Sequence, residues 1–167
     1  MKTQRFVLAN IVIAQFCCTS LWFAGNAISM QLIETFYLPP TSLGYLTAAV
    51  QFGFIVGTLL FALFTLADRF SPSKVFSACA LLGSTINLGM LWGGNTLITL
   101  ALIRFATGFF LAGIYPVGMK IAADYFDKGL GKSLGYLVGA LVLGTALPHL
   151  LKAYTVTLSW KWVIMST

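Results

Sequence analysis

The sequence predicts an all-α polytopic membrane protein with about five transmembrane helices and the start of a sixth. The first observation is composition: 59% of the 167 residues are hydrophobic and only 8% are charged, whereas soluble domains carry roughly 25% charged residues. The second is that the apolar residues form long stretches, each close to the roughly 20 residues that cross a bilayer. The third is that nearly all charged residues lie between those stretches. Together these observations exclude a soluble globular domain.

The first predicted span covers residues 6–33 and carries a polar stripe along one helical face. Its members recur every three or four residues and are Gln15, Thr19, Trp22, Asn26 and Ser29. A polar stripe on a membrane helix must face protein or water. It therefore indicates either hydrogen bonds between helices or the lining of a cavity. We favour the cavity, because Trp22 and Asn26 together form a wide amphipathic patch.

The second predicted span covers residues 43–66 and has two distinctive faces. One face carries polar and aromatic residues, namely Thr47, Gln51, Phe54 and Thr58. Among these, Gln51 is the candidate cavity residue. Gly53 and Gly57 form a small-xxx-small pair, a pattern that lets another helix approach closely. We expect this pair to serve helix packing.

A short charged turn, residues 66–74, makes a hairpin of the second and third spans, because it is too short for them to separate. Its charged residues are Asp68, Arg69 and Lys74. The third predicted span covers residues 75–91. The turn that follows begins with Trp92, a residue favoured at the membrane–water interface.

The fourth predicted span, residues 96–123, contains a buried charge. An arginine in hydrocarbon costs on the order of 2.5–3.5 kcal/mol on insertion scales, so Arg104 must face other helices, water or a passing solute. The residues that follow on its helical face are Thr107, Leu111, Tyr115 and Gly118. Tyr115 joins the cavity candidates, and Pro116 is expected to loosen the backbone. Two interpretations of Arg104 stay open: contact with a solute, or a buried structural or gating ion pair.

The fifth predicted span covers residues 133–151 and begins with a row of glycines. Gly131, Gly135 and Gly139 recur every four residues, and we expect the row to permit very close approach of another helix. A loop follows, and a sixth span begins at about residue 160. The chain stops at Thr167, too soon for that span to cross, so we expect a truncated chain.

The basic residues predict the orientation of the spans. The side of the N-terminus holds Lys2, Arg5, Arg69, Lys74, Lys120, Lys128 and Lys132, against Lys152 and Lys161 on the opposite side. This asymmetry places the N-terminus in the cytoplasm. The net charge of +6 therefore reports topology, and we expect the lipid bilayer, not nucleic acid, as the partner of these residues. The expected location is a bacterial-type plasma (inner) membrane.

Three motifs carry a resemblance to a known family. The hairpin turn has Leu66, Ala67, Asp68 and Arg69, followed after a gap by Lys74. It resembles the signature between the second and third helices of the major facilitator superfamily, roughly G-x-L-A-D-R-x-G-R-K. Phe64 and Ser71 stand at its two glycines, and Pro72-Ser73 at its basic pair.

The other two motifs lie in the fourth and sixth spans. Arg104, Thr107 and Gly108 resemble the family's fourth-helix pattern R-x-x-Q-G, with Thr in place of Gln. Trp160-Lys161-Trp162 is similar to the W-R-W that often opens the sixth helix. Short loops between spans two, three and four agree as well, so the resemblance covers the whole chain.

The resemblance implies the first six-helix half of a two-half (6+6) bundle that works by alternating access. The first and fourth helices would line a cavity, which matches Trp22, Asn26 and Arg104. The turn with Asp68, Arg69 and Lys74 would be a gating loop on the cytoplasmic side, with a local ion pair from Asp68 to Arg69 or Lys74 as the alternative. The implied partners are a small-molecule solute, a coupling proton or ion, and a missing C-terminal half.

One departure from the family bears on the direction of transport. The antiporter pattern of the fifth helix ends in a G-P pair followed by a G-G pair, whereas here Gly139 is followed by Ala140 and Pro148 lies further on. This difference disfavours proton-coupled export. It leaves the permease types symporter and uniporter open.

Our leading hypothesis is secondary active transport of a small polar or anionic solute. Arg104 is the reason for including anions, since its charge attracts a carboxylate in a low-dielectric cavity. The alternatives are a non-transporting membrane scaffold, an inactive fragment, or an intramembrane enzyme. The sequence shows neither H-E-x-x-H nor G-x-S-x-G, and its cysteines have no zinc-like spacing. We therefore expect no enzymatic activity, no cofactor and no metal.

Overall fold

The computed structural model describes residues 2–126, 129–154 and 159–167, and every regular element within them is helical. The helices of the first half of the chain are α1 (Lys2–Ala27), α2 (Ser29–Thr35), α3 (Ser42–Leu63), α4 (Leu66–Arg69) and α5 (Pro72–Leu88). Those of the second half are α6 (Leu97–Leu111), α7 (Tyr115–Tyr125), α8 (Leu130–Tyr154) and α9 (Trp160–Ser166).

The described residues contain five stretches long and apolar enough to cross a membrane. They are Phe6–Ala27, Ser42–Leu63, Pro72–Leu91, Leu97–Tyr125 and Leu130–Leu147. The predicted fold class, an all-α polytopic bundle, is therefore confirmed. The protein is an integral membrane protein.

The first and fourth predicted spans are each divided by a short irregular segment. Between α1 and α2, the Ser29 hydroxyl donates to the Asn26 carbonyl, although the Ile28 N–H still donates to Ala24 O at 3.2 Å. The helix is therefore distorted here but its hydrogen-bond ladder is not lost. Between α6 and α7, the Ile114 N–H donates to Leu111 O at 3.0 Å, which is the tighter 3₁₀ spacing.

Proline explains the second of these breaks. Pro116 lies in the first turn of α7. It has no N–H to continue the α-helical ladder, and its ring crowds the preceding turn. Proline is well tolerated at a helix start, so α7 begins where α6 cannot continue.

The boundaries around the charged turn differ from the predicted ones. The helix α3 ends at Leu63 because Thr65 adopts a left-handed conformation, with φ 48° and ψ 41°. A non-glycine residue there costs on the order of 1–3 kcal/mol. The helix α5 starts at Pro72, earlier than the predicted residue 75, because proline suits the first helical turn.

Helices α3 and α6 cross with their backbones in contact. A Cβ atom at Gly53 would overlap the Phe105 carbonyl oxygen, and one at Gly108 would overlap the Val50 carbonyl oxygen. The expectation that glycines of the second span serve helix packing is confirmed. In the span formed by α6 and α7, 44% of the residues in the apolar part are buried, against 22% to 28% in the other four spans. This span is therefore the most enclosed.

The glycine row of α8 is not closely approached by another helix among the described residues. No described atom lies within 4 Å of a Cβ position at Gly131, Gly135 or Gly139. The buried face of α8 instead carries Ser133, Leu137, Ala140 and Gly144. Gly144 packs against α1, where a Cβ would lie 3.0 Å from Phe16 O. Helical spacing separates the two faces, so the glycine face of α8 is open within the described residues, and close approach of another helix to it stays a prediction.

The expected start of the sixth span is the helix α9, which packs into one end of the bundle. Trp160, Val163 and Ile164 are buried there in a cluster with Met90 and Leu100. Residues 155–158, in the loop expected before this span, lie outside the described residues. The same is true of Lys128, one of the residues used to predict orientation.

Candidate functional site

Arg104 joins α6 to α1. It is 1% exposed. Its Nη2 donates to the Trp22 carbonyl oxygen at 3.0 Å and to Asn26 Oδ1 at 2.9 Å. Hydrogen bonds from a charged donor are about twice as strong as neutral ones. The guanidinium therefore fastens the fourth span to the distorted end of the first.

A glycine on α1 makes room for this charge. A Cβ at Gly25 would overlap the Arg104 guanidinium group, so only glycine leaves the space that it fills. Within the described part of the chain, no carboxylate forms an ion pair with Arg104, and its Nη1 has no hydrogen-bond partner. The two oxygens that accept hydrogen bonds from its charged group are neutral amide oxygens. Of the two interpretations of Arg104, these contacts support a structural one, although without the expected ion pair.

A cavity of about 290 Å³ lies between α1, α3, α6, α7 and α8. Its aromatic wall consists of Trp22, Phe23, Phe54 and Tyr115. Its aliphatic wall consists of Leu111, Ile114 and Leu141, and its other polar residues are Gln15 and Thr19. The rings of Trp22 and Phe54 meet edge to face, with centroids 5.1 Å apart. Such a cavity suits a small molecule with an apolar surface and few polar groups.

The predicted cavity residues are distributed unequally. Trp22 and Tyr115 line the cavity. Asn26 and Arg104 bind each other beside the wall that Trp22 forms, and neither is part of the lining. Gln51 is exposed and is not part of the lining either, although Phe54, one turn further along α3, is. The predicted set therefore divides into two residues that line the cavity, two that hydrogen-bond to each other beside it, and one exposed residue.

The sequence analysis did not select Gln15 and Phe54 as site residues, although it placed both on marked faces. Gln15 is 1% exposed and lies against Gly118 of α7, where a Cβ would be 2.9 Å from Gln15 Oε1. The polar stripe on α1 was the available signal. This stripe predicted which face of α1 is functional, but it did not predict which residues of that face line the cavity.

The charged turn is attached to the fourth span. Lys120 Nζ lies 2.7 Å from Asp68 Oδ1, and this pair joins α4 to α7. The alternative of a local ion pair with Arg69 or Lys74 is wrong, because Asp68 bonds a residue 52 positions away. Arg69 and Lys74 are both exposed. No local pattern indicated Lys120, since the contact depends on how the turn folds back over α7.

The site offers no arrangement for metal binding. In the described ranges no three His, Cys, Asp or Glu side chains are grouped so that they could hold a metal ion. What the geometry offers is a cavity with aromatic walls beside two interrupted helices, and an ion pair across the charged turn.

Residues 11–167 match the family model described as Major Facilitator Superfamily. No curated protein matches the chain.

Proposed function

Because the chain belongs to the major facilitator superfamily, a family of membrane transporters, we propose that it moves a small solute by secondary active transport. The movement follows the alternating-access scheme, in which the solute site opens to one side of the membrane at a time. In this proposal the protein carries out no chemical conversion. The departure at Gly139-Ala140 supports symport or uniport over proton-coupled export.

The cavity carries this proposal. Solute sites of such transporters are typically formed by interrupted helices near the bilayer midplane. The break at 112–114 provides Ile114 to the lining, and Tyr115 follows it at the start of α7. Trp22 precedes the distortion at Ile28 by less than two turns. Irregular backbone at membrane depth is tolerated where it is buried in protein or lines a water-filled space.

The solute that we propose is small, has few polar groups and is not specifically anionic, because the lining of the cavity is largely apolar. An anion was expected because Arg104 could attract a carboxylate, but its guanidinium donates to Trp22 and Asn26 instead. It is also absent from the cavity lining. A second six-helix half, as the family resemblance implies, would complete the cavity on its open side.

The ion pair between Asp68 and Lys120 supports a gating role for the charged turn. It holds α4 against α7 within one bundle. Contacts of this kind can exchange when two halves rock against each other. We propose that this turn and the N-terminus lie on the cytoplasmic side, with Arg69 and Lys74 near the membrane surface.

Uptake into proteoliposomes that contain the purified full-length protein tests the proposal. A screen of radiolabelled small solutes should find at least one whose uptake exceeds that of protein-free vesicles. Tyr115→Ala should alter its KM, because Tyr115 lines the cavity. Ile98→Ala is the control, since Ile98 is 72% exposed on the outside of the bundle. Equal kinetics of both variants and the unmodified protein would contradict the proposed site.

A non-transporting scaffold remains the second candidate, and the open glycine face of α8 favours it. A cysteine at Gly135 should then crosslink two copies in membranes, whereas one at Gly44, which is also open but lies on α3, should not. Efficient crosslinking without uptake of any solute would support the scaffold and contradict the proposal of transport.

A further inference from the structure

We propose that a groove between α1 and α8, on the outside of the bundle, binds one anionic phospholipid, with its phosphate at Lys132 and Ser133 and an acyl chain along the open glycines of α8. This proposal goes beyond transport, because the groove is separate from the cavity of about 290 Å³ that carries the proposed function. It assigns an occupant to a glycine row that no described helix approaches closely.

Two neighbouring hollows between α1 and α8 form this groove. The first has a volume of about 570 Å³ and the second a volume of about 310 Å³. Val12 of α1 and Tyr136 of α8 line both hollows, so the two are continuous. Ile13, Tyr136 and Leu143 along the groove are exposed. The groove therefore opens away from the bundle, on the side that faces lipid.

The wider end of the groove carries its polar groups. Lys132 and Ser133 line it at the start of α8, beside Gly129. Ser133 is 4% exposed; its main-chain N–H donates to Gly129 O, but its hydroxyl has no hydrogen-bond partner among the described residues. The hydroxyl oxygen is not closed off from solvent. It can therefore donate to a phosphate oxygen that enters the groove.

The charge at this end is complementary to a phosphate. Lys132 is exposed and forms no ion pair with a described carboxylate. The helix α8 starts at Leu130, and the N–H groups of a helix start carry partial positive charge that favours phosphate. The predicted orientation places this end at the cytoplasmic surface, where anionic lipids attract lysine side chains.

The other part of the groove is apolar and is lined by very small residues. Gly135, Gly139 and Ala140 of α8 lie along it. No described atom lies within 4 Å of a Cβ position at Gly135 or Gly139, so the space over them is open. Its larger side chains are all apolar or aromatic: Val12, Ile13, Phe16, Tyr136 and Leu143. This lining suits a hydrocarbon chain and offers nothing to a charged group.

The length of the groove matches one leaflet of a bilayer. From Lys132 to Leu143, α8 rises about 16 Å, at about 1.5 Å per residue. Half of the hydrocarbon core of a bilayer is about 15 Å thick. A lipid with its phosphate at Lys132 therefore covers the whole groove with one acyl chain, whereas a free phosphate would occupy only the wider end.

A second copy of the chain fits this face less well than a lipid. Two copies in one membrane share their orientation, so a symmetric contact between their glycine rows would bring two Lys132 side chains to the same end. Like charges repel, and most strongly where water is scarce. An anionic headgroup instead neutralises Lys132.

Native mass spectrometry of the purified full-length protein, titrated in detergent with dioleoylphosphatidylglycerol or dioleoylphosphatidylcholine, tests the proposal. The two lipids have the same chains and a phosphate each, but only the first has a net charge. The dissociation constant of the first bound lipid should be roughly fivefold lower for phosphatidylglycerol, the value of one lysine beside an anionic headgroup. Glycerol phosphate, which has no acyl chain, should not displace it.

Variants of each end of the groove locate the effect. Lys132→Gln should make the two lipids bind equally, and Lys132→Arg should keep the preference. Lys74→Gln is the matched control and should keep it too, because Lys74 is exposed but does not line the groove. Gly135→Leu should weaken both lipids by filling the open space, whereas Gly44→Leu on α3 should not. Gly139→Leu repeats the test if Gly135→Leu does not fold.

Equal binding of the two lipids by the unmodified protein would overturn the proposal, as would loss of the preference in Lys74→Gln. Displacement by glycerol phosphate would overturn it in favour of a site for phosphate alone. A dimer that Gly135→Leu dissociates without weakening either lipid would overturn it in favour of a second copy. These measurements involve no transported solute, so failure of this proposal leaves the proposed transport function intact.

Discussion

At the scale of single residues, Arg104 shows how the bundle accommodates a charge inside the membrane. The guanidinium is surrounded by protein and donates to neutral oxygens of α1. An unpaired charge of this kind is expensive. It persists because Gly25 leaves space for it and because Asn26 and the Trp22 carbonyl replace water. The charge therefore joins two helices that both border the cavity.

We predict that Gly25→Ala lowers stability by about 1–3 kcal/mol, because the new methyl group displaces the guanidinium from its charged hydrogen bonds. Thermal unfolding of the purified protein measures this. Gly44→Ala is the matched control, with no described atom within 4 Å of the new Cβ. In an Arg104→Ala background the effect of Gly25→Ala should disappear. An undiminished effect there would show that the guanidinium is not the group displaced.

We predict that Asp68→Asn slows uptake with little change in thermal stability, because its ion pair lies at the surface, with Asp68 exposed and Lys120 half-buried, and holds the charged turn against α7. The exchanged pair, Asp68→Lys with Lys120→Asp, should recover part of the rate, and Lys74→Gln should have little effect. Initial uptake rates in proteoliposomes provide the measurement. Loss in the exchanged pair as complete as in Asp68→Asn would mean that Asp68 acts through some other contact.

At the scale of elements, the crossing of α3 and α6 sets how closely the second and fourth spans pack beside the cavity. Glycines on both helices lie against carbonyl oxygens of the other. Backbone cannot swing aside as a side chain can, so the contact is rigid. This gives the interrupted helix α6–α7 a fixed support on one side.

We predict that Gly108→Ala destabilises the protein by about 1–3 kcal/mol or more, because its Cβ meets the main chain of α3. Gly139→Ala, at an open position of α8, should be neutral or slightly stabilising. Both values come from thermal unfolding in one detergent. Equal melting temperatures for the two variants would contradict the packing described for α3 and α6.

We predict that Asn95→Ala lowers the free energy of unfolding by about 1–3 kcal/mol, because it removes the amide that organises the turn before α6. The Asn95 Nδ2 lies 2.8 Å from Trp92 O and 3.0 Å from Gly89 O, and its Oδ1 accepts from Thr99 at 3.1 Å. Asn95→Asp keeps the acceptor and removes the donors. It should therefore be destabilised as well, and wild-type stability of this variant would argue against the donor role.

Sequence predicted the elements better than their contacts. Apolar length and helical period located the spans, since both follow from bilayer thickness and helix geometry. The face that α8 buries depends on neighbours from distant parts of the chain. Period alone showed that Gln51 and Phe54 share a face. It did not show that the Trp22 ring packs against Phe54 while Gln51 is exposed.

At the scale of the whole molecule, the five apolar stretches present large hydrophobic side chains outward and enclose the polar stripe of α1. Phe52, Ile55 and Leu59 on α3 are each more than half exposed. These surfaces suit lipid. The location of the cavity was predictable from the polar stripe of α1 and the polar face of the fourth span. Its separation from Arg104 was not, because the direction of one side chain depends on the space at Gly25.

We predict that Ser73→Cys is labelled from the cytoplasmic side and Ser159→Cys from the opposite side, because the basic residues favour that orientation. Both serines are exposed. Cys17, Cys18 and Cys79 are first replaced by alanine. A membrane-impermeant thiol reagent on intact and opened cells distinguishes the sides. Labelling of both positions from one side would contradict the topology.

Access of water to the cavity is the measurement that tests the central claim most directly. In the same cysteine-free background, Tyr115→Cys and Phe54→Cys should react with a small water-soluble thiol reagent, because both positions line the cavity. Ile98→Cys and Leu102→Cys, which point outward from α6, should react slowly because lipid covers them. The reverse order of reactivity, with Ile98 and Leu102 labelled and the cavity positions protected, would contradict the account.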